Sequence, residues 1–193
     1  MEPGGFPEAG RLERLRDYLR LLARIQLGAC PTGRIDPSDI VQQTLMEAFV
    51  KRDQFRGATN EEHAAWLRRI LARNVADAHR AQGQQKRDVS RERSLEQQME
   101  ESSAQLGDWL AREQSTPSEH ARRHEQAILL ADALARLPER QREALVLHYW
   151  QGCSLAEISV SLDRSTTAVA GLLKRGLKHL REQLDAWPER SQP

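Results

Sequence analysis

The chain of 193 residues is 39% hydrophobic and 30% charged, and its 29 basic residues nearly balance its 28 acidic ones. A net charge of +1 argues against a protein that coats nucleic acid indiscriminately, although local clusters still attract phosphate because salt screens electrostatic fields over ~10 Å. No apolar run approaches the ~20 residues that span a bilayer, and the beginning, MEPGGFPEAGRLERLR, lacks the apolar segment of a secretory signal. We therefore expect a cytoplasmic protein without membrane contact. Cys30 and Cys153 are far apart and lie in no metal-binding or disulfide spacing, so we expect no metal and no cofactor.

The first half of the chain predicts a bundle of three helices over residues 10–82. Apolar residues recur at three- and four-residue steps from Leu12 to Ile25, which predicts an amphipathic helix that ends near Gly28. The stretch DPSDIVQQTLMEAFV begins with a cap at Asp36 or Ser38. Its inner face is predicted at Ile40, Val41, Thr44, Leu45, Ala48 and Phe49.

A loop and a third, basic helix follow. FRGATNEEH predicts a loop in which Thr59 or Asn60 caps a helix over about 61–80. Trp66 lies on the apolar side of that helix, which favours a core role over a stacking surface. Asn74 lies on the same side, which is compatible with an internal position bonded to a neighbouring loop. The opposite side is basic, with Arg68, Arg69, Arg73, His79 and Arg80 against Asp77.

Residues 83–119 predict a polar linker with transient helix at most. The segment is rich in Gln, Glu, Ser and Arg and has few apolar residues, a composition that disfavours a packed core. Leu106, Trp109 and Leu110 are the exception, and we expect them to dock on another part of the protein.

The last part of the chain, 120–186, predicts a helix-turn-helix. A helix ends at Pro138 and a second begins there; Ser154 caps a short third helix, LDRS forms a turn, and a long final helix begins near Ser165. No segment alternates like a strand. The predicted fold is therefore all-α, with two small helical domains joined by a polar linker.

The final helix concentrates positive charge on one side. RSTTAVAGLLKRGLKHLR contains five Lys or Arg and no acidic residue. Its leucines share one face and its basic residues lie opposite, which suits phosphate contacts, while the first turns would meet base edges. A solvated basic face on a core helix, complementing the helix dipole, is the competing interpretation.

Two motifs then resemble one family. LARLPERQREALVLHYWQGCSLAEISVSLDRSTTAVAGLLKRGLKHLREQL resembles region 4 of bacterial sigma factors, the initiation subunits of RNA polymerase, whose pattern is LPxxxRxxLxLxxxxGxSxxEIAxxL. SDIVQQTLMEAF resembles the DLVQETFLRAF pattern of sigma region 2, and FRGATNEEHAAWLRRILARNVADAHR resembles the FRGxxxxxxWLxxIaxNxxxDxxR pattern that follows it. The two matches cover most of 10–186, and the lack of further domains resembles the extracytoplasmic-function (ECF) group of the sigma-70 superfamily.

The resemblance implies partners and site residues. It implies a region 2 helical bundle over 10–82 and a region 4 helix-turn-helix over 120–186, with promoter DNA and the clamp helices of the polymerase β′ subunit as partners. Many members are held inactive by an anti-sigma factor wedged between the two domains, and self-inhibition by domain packing is also compatible with the linker. Contact with the polymerase is implied for Asp39, Gln42, Gln43 and Glu47.

For DNA, the resemblance implies one surface in each domain. Recognition and melting of the promoter −10 element is implied for Phe55, Arg56, Gly57, Thr59, Asn60, Arg69, Arg73, Asn74, Asp77 and Arg80. Recognition of the −35 element is implied for Arg164, Ser165, Thr166, Thr167, Ala170, Gly171, Lys174, Arg175 and Lys178. The family's recognition helix often contains GTVKSRLHRARKRL, whereas Ala168, Ala170 and Gly171 offer no long donors here. Recognition of −35 would therefore depend more on Arg164, Thr166, Thr167 and DNA shape.

Two other functions compete with this one. A stand-alone helix-turn-helix regulator of the LuxR type, dimerising through its first half, would bind its operator without polymerase. An enzyme is disfavoured because the six histidines show no ligand or triad spacing; His120 and His124 lack the glutamate of the HExxH motif. The predicted function is promoter-specific transcription initiation for a stress- or signal-responsive regulon.

Overall fold

The computed structural model describes residues 9–28, 35–81, 89–114 and 120–185. Within these ranges the protein has eight α-helices, one short 3₁₀ turn at Arg52–Gln54 and no strand, which confirms the all-α prediction. None of the described helices is long and apolar enough to cross a membrane. The helices are α1 Ala9–Leu27, α2 Pro37–Val50, α3 Asn60–Ala81, α4 Val89–Gln114, α5 His120–Ala135, α6 Glu139–Tyr149, α7 Leu155–Leu162 and α8 Thr166–Asp185.

Helices α1, α2 and α3 pack against one another as the predicted bundle. Leu19 and Leu22 of α1 are fully buried with Leu67 and Leu71 of α3. Burying each such side chain stabilises the fold by about 1.5–3 kcal/mol. The bundle therefore has an aliphatic core in which leucines of α1 and α3 are buried together.

The caps and one face of α2 and α3 refine the sequence predictions. The sequence predicted two candidate residues for each cap. Asp36 is the cap of α2 and accepts from the Ser38 amide at 2.8 Å. Thr59 is the cap of α3 and accepts from the Glu62 amide at 3.1 Å. The predicted inner face of α2 is wrong at Phe49, which is 55% exposed. The Arg52 guanidinium lies 4.7 Å from the centroid of the Phe49 ring.

The segment predicted to be a polar linker contains a packed helix. Helix α4 is 26 residues long and contacts α1, α3 and α5. Leu95, Met99 and Leu106 form a narrow buried stripe, and two serines are buried beside it. The polar composition does not prevent burial because α1 satisfies both hydroxyls: Tyr18 donates to Ser103 at 2.8 Å and Gln26 to Ser102 at 3.1 Å.

The docking expected of the apolar residues in this segment is confirmed for two of the three. Leu106 is fully buried, and Trp109 packs against the core; the side chain of Leu110 lies outside the described residues. The division of the chain into a region 2-like domain, a linker and a region 4-like domain stays a prediction.

The second half contains α5 to α8 and lies against the first half. Helix α5 packs on α1 and α4, and more lightly on α8. Helices α6, α7 and α8 pack together around Leu145, Ile158 and Val169, all fully buried. The Gln151 side-chain amide also donates to the Arg24 carbonyl of α1 at 3.0 Å, so the two halves are in contact in this structure.

Candidate nucleic-acid interface

The turn between α7 and α8 has the geometry of a helix-turn-helix. Ser154 and Glu157 form a reciprocal capping box at the start of α7, and these hydrogen bonds lower the pKa of Glu157. Asp163 ends α7 in the left-handed conformation, with φ of 51°. The Ser159 hydroxyl then donates to the Arg164 carbonyl at 2.5 Å, and the Ser165 hydroxyl accepts from the Ala168 amide at 3.2 Å. The short turn therefore fixes where α8 begins.

All the residues predicted to meet the −35 element lie on the solvent side of α8 or in the turn just before it. Eight are exposed, and Gly171 is half-buried beneath the Arg175 guanidinium. We call this surface the outward face of α8; it consists of Arg164, Ser165, Thr166, Thr167, Ala170, Gly171, Lys174, Arg175 and Lys178. Most of these side chains can donate through a guanidinium, ammonium or hydroxyl group in reach of a groove or backbone. The geometry suits DNA contact, and the role of each residue stays a prediction.

The opposite face of α8 is anchored by a close helix contact. Gly176 is buried, and a Cβ at this position would lie 3.1 Å from Cδ1 of Leu145 on α6. The absence of a side chain thus lets α6 and α8 approach closely. His179 also makes a 2.9 Å hydrogen bond with Gln141 of α6 through Nδ1. These contacts hold the outward face at a fixed orientation.

Helix α3 is basic as predicted, but its arginines are paired. Arg69 contacts Glu96 of α4 at 2.8 Å, Arg73 contacts Glu47 of α2, and Arg80 contacts Asp77 one turn away. Arg69 is exposed, and Arg73 and Arg80 are half-exposed. A binding partner can therefore compete with the carboxylates for these guanidinium groups. We call these three residues the arginine face of α3.

Arg68 does not belong to the arginine face. It is 3% exposed, donates to the Tyr18 hydroxyl at 3.0 Å, and contacts Glu100 of α4 at 2.6 Å. Burial lowers the pKa of Arg68, but Tyr18 and Glu100 outweigh this effect and raise the pKa above its ordinary value. Burial raises the pKa of Tyr18 in turn. The helix periodicity that placed Arg68 on the basic side missed α4, which covers that position.

Asn74 is likewise internal, which corrects its predicted contact with the −10 element. Its side chain is 3% exposed and donates to the Thr44 hydroxyl of α2 at 3.1 Å. Thr44 in turn donates to the Ile40 carbonyl at 2.8 Å. A buried amide needs such a partner, so Asn74 joins α2 to α3 instead of reaching the surface.

The loop before α3 has its residues at the surface. Arg56, Thr59 and Asn60 are exposed, and Phe55 and Gly57 are half-buried. The carboxylate of Glu62 accepts from the backbone amides of Thr59 at 2.9 Å and Ala58 at 2.7 Å, and these bonds lower the pKa of Glu62. The capping box therefore ties the loop to the first turn of α3.

Three aromatic rings back this loop. Phe55 lies 5.3 Å from Trp66 and 5.2 Å from His63, measured between ring centroids. Trp66 is partly buried and packs against the core, which confirms its predicted core role. A Cβ on Gly57 would overlap the Phe55 ring and Cβ of Glu62, which accounts for glycine at this position.

Helix α2 presents a mixed surface that the sequence only partly predicted. Asp39, Gln42 and Gln43 lie on its outer side, whereas Glu47 is half-buried and also contacts Lys51 at 2.6 Å. Beside them lie three large exposed apolar side chains, Met46, Phe49 and Val50, with 64, 55 and 75% of their surface exposed. Their spacing of three and four residues was the signal that could have identified a second apolar stripe on α2.

The described residues contain no group of three or more metal-ligating side chains. Cys153 is a free thiol whose pKa is raised by burial, and Cys30 lies outside the described residues.

Comparisons with known proteins agree with the motifs. A family model described as sigma-70, region 4 matches residues 127–180. The RNA polymerase sigma-E factor of Streptomyces antibioticus is 30% identical over 174 residues, covering 90% of this chain and 83% of that protein. The ECF RNA polymerase sigma factor SigD of Mycobacterium tuberculosis (strain ATCC 25618 / H37Rv) is 26% identical over 175 residues, covering 91% of this chain and 76% of that protein.

Two solved structures also align with most of the chain. The sigma factor RpoE in complex with the anti-sigma factor NepR from Bartonella quintana has 22% identity and a TM-score of 0.35, covering 91% of this chain and 95% of that one. CnrH in complex with the cytosolic domain of CnrY has 24% identity and a TM-score of 0.34, covering 93% and 85%.

Proposed function

Because the chain belongs to the extracytoplasmic-function group of RNA polymerase sigma factors, we propose that it directs core polymerase to the promoters of a stress- or signal-responsive regulon. Sigma factors act in transcription initiation and are subunits, not enzymes, so we assign no catalytic residue. The observation that supports a DNA-reading role most directly is the helix-turn-helix of α7 and α8, with its basic side turned to solvent.

The outward face of α8 is the proposed −35 surface. An α-helix fits the major groove, and its first turns come nearest to the base edges. Arg164, Thr166 and Thr167 would supply the donors for bases, and Lys174, Arg175 and Lys178 would contact phosphates further along. Ala170 and Gly171 add little bulk between these groups, which permits a close approach of the helix to the groove.

The loop before α3 and the arginine face are the proposed −10 surface. Melting a duplex without ATP requires unpaired bases to be trapped as they appear. Arg56, Thr59 and Asn60 at the surface would contact a flipped base, and the aromatic rings of Phe55, His63 and Trp66 stiffen the loop behind it. The arginine face would hold the strand by its phosphates. We leave Asn74 out of this surface because of its burial.

The exposed face of α2 is the proposed polymerase-binding surface. It combines polar Asp39, Gln42 and Gln43 with the apolar side chains of Met46 and Phe49, and exposed apolar patches mark protein interfaces. We propose that this face contacts the clamp helices of the β′ subunit. An anti-sigma factor is a further predicted partner.

A pull-down of core polymerase tests the assignment of this face. Met46→Asp should abolish capture, because it places a charge in the middle of the apolar patch. Gln54→Asp, at another exposed position close by, is the matched control and should capture polymerase like the wild type. Capture of polymerase by Met46→Asp at the level of Gln54→Asp and the wild type would contradict the assignment.

The decisive experiment is run-off transcription with purified core polymerase on templates whose −35 and −10 regions are randomised. We expect transcripts only when this protein is added, and sequencing them reveals both promoter elements. If no transcript forms while the protein alone retards specific DNA sequences, the sigma role fails and the dimeric regulator replaces it.

A further inference from the structure

Helix α4 connects the two halves of the molecule. Its buried stripe packs on α1 and α3 of the first half and on α5 of the second. Near its end, the Trp109 ring lies 6.0 Å from Tyr149 and 5.7 Å from Trp150, at the end of α6. A single helix therefore touches both the proposed −10 domain and the proposed −35 domain.

The same helix places carboxylates on the basic side of α3. Glu96 and Glu100 are four residues apart and so share one face of α4. Glu96 contacts Arg69 of the arginine face at 2.8 Å, and Glu100 contacts Arg68 at 2.6 Å. Carboxylate and phosphate oxygens are alternative partners for a guanidinium. In this arrangement, Glu96 occupies the position that a DNA phosphate would take on Arg69.

Helix α5 stands beside the proposed base-accepting loop. A cavity of about 600 Å³ separates Thr59 and Asn60 of the loop from Glu125 and Ile128 of α5. His124 of α5 contacts Glu100 at 3.1 Å and Glu61, at the start of α3, at 3.7 Å. A DNA strand that enters the loop would meet α5 and the carboxylate of Glu125.

The packed halves are also too close together to contact both promoter elements at once. Elements centred about 25 base pairs apart are separated by roughly 85 Å of B-DNA, at ~3.4 Å per base pair. A compact chain of 193 residues has a radius of gyration of about 16 Å and is therefore roughly 40 Å across. The two proposed DNA surfaces must move apart before both can be occupied on one straight duplex.

We propose that α4 is an inhibitory clasp: Trp109 holds the −35 half against it, and Glu96 occupies Arg69 of the arginine face, until core polymerase and DNA replace these two contacts. The proposal rests on the proposed function, because the arginine face matters only if it meets DNA. The buried stripe keeps α4 packed on its neighbours. The contacts to be exchanged are the exposed ion pair of Glu96 with Arg69 and the aromatic contact of Trp109 with α6, and neither Glu96 nor Trp109 belongs to that stripe. Exchange of these two contacts leaves the buried stripe of α4 in place.

The test uses the full chain and two variants that loosen opposite ends of the clasp. Glu96→Gln removes the carboxylate from Arg69, and Trp109→Ala removes the aromatic contact with α6. Glu101→Gln is the matched control, because it makes the same change on α4 at an exposed position whose partner is Gln97 of the same helix. Circular dichroism checks that each variant is folded.

Two readouts are measured without polymerase. The first is the affinity for a labelled single strand that carries the −10 sequence recovered from the randomised templates. We expect both variants to bind this strand about threefold to tenfold more tightly than the wild type and the control. The second is the radius of gyration from X-ray scattering, which should exceed the wild-type value in Trp109→Ala and stay unchanged in Glu101→Gln.

The outcomes separate this proposal from the function on which it rests. If the wild type supports transcription but both variants bind the strand like the wild type, α4 is a structural helix and the clasp is overturned. The clasp is also overturned if Glu101→Gln gains as much affinity as Glu96→Gln, since the effect would then be one of net charge. If the wild type yields no transcripts with core polymerase, the sigma role fails first.

Discussion

Helices α3 and α8 carry most of the basic residues of the two proposed DNA surfaces, and their charges have different surroundings. In α3, Arg68 is buried and the arginine face is paired with acidic residues of α2, α3 and α4. In α8, Lys174, Arg175 and Lys178 are exposed. Among the ion pairs of the described residues, these three contribute one, a long contact of 3.8 Å between Lys178 and Glu182. One helix is surrounded by neighbours, whereas the other packs through a single face.

The difference shows that a basic stripe in a sequence does not by itself identify a nucleic-acid surface. Packing on several sides converts some arginines into internal partners for carboxylates and hydroxyls. A helix at the edge of the fold keeps its charged side chains exposed to solvent and to a binding partner. The proposed −35 surface is therefore ready for DNA in this structure, and the proposed −10 surface requires its ion pairs to be exchanged.

The largest effect is expected for the two neighbouring arginines of α3. Arg68→Ala should lower the free energy of unfolding by roughly 2–4 kcal/mol, because it leaves a void and removes the donor that the buried Tyr18 hydroxyl accepts from. Arg69→Ala should lower it by less than about 1 kcal/mol, since its ion pair with Glu96 is exposed. Urea unfolding measures both values. Equal losses in the two variants would contradict the assignment of Arg68 to the interior.

The glycines of α8 should respond in opposite directions. Gly176→Val should cost about 1–3 kcal/mol, because its side chain would overlap Leu145 of α6. Gly171→Ala should stabilise the helix by about 0.5–1 kcal/mol, since only the movable guanidinium of Arg175 lies close to the added methyl group. Thermal unfolding of both variants is the measurement, and a stabilised Gly176→Val would show that α6 and α8 are not in close contact.

The exposed charges of α8 should appear in the salt dependence of DNA binding. Lys174→Ala should reduce the slope of log affinity against log salt by about one, and weaken binding to all sequences alike. Thr167→Ala should instead change the preferred −35 bases. Arg16→Ala, at an arginine of α1 that pairs with Glu13, is the control. A loss confined to one DNA sequence in Lys174→Ala would assign that residue to base contact.

The smallest effect concerns the cap that holds the loop before α3. Amides of Thr59 and Ala58 lower the pKa of Glu62. The carboxylate therefore stabilises the fold above the ordinary pKa of about 4.5, and this contribution is lost as the pH falls through the lower folded-state pKa. Glu62→Gln should be less stable than the wild type at pH 7, and the difference should shrink as the pH falls below about 4.5. A constant difference down to the lowest pH at which both proteins fold would exclude the cap as the cause.

Much of this protein could be predicted from its sequence, because apolar spacing, caps and breakers act locally. These signals placed α1 to α3 and α5 to α8 within a few residues, identified Ser154 as a cap, offered Thr59 as one of two cap candidates, and predicted that the basic side of α8 faces outward. The motifs identified the family for the same reason: they are contiguous runs of residues.

Only the tertiary structure decided which polar residues are internal. Helix α4 was predicted as a linker because its apolar residues are few, yet the hydroxyls of Ser102 and Ser103 find partners on α1 that are remote in the chain. Arg68 and Asn74 became internal for the same reason, through Tyr18 and Thr44. Local periodicity determines which face of a helix a residue occupies, but burial depends on what the rest of the chain places against that face.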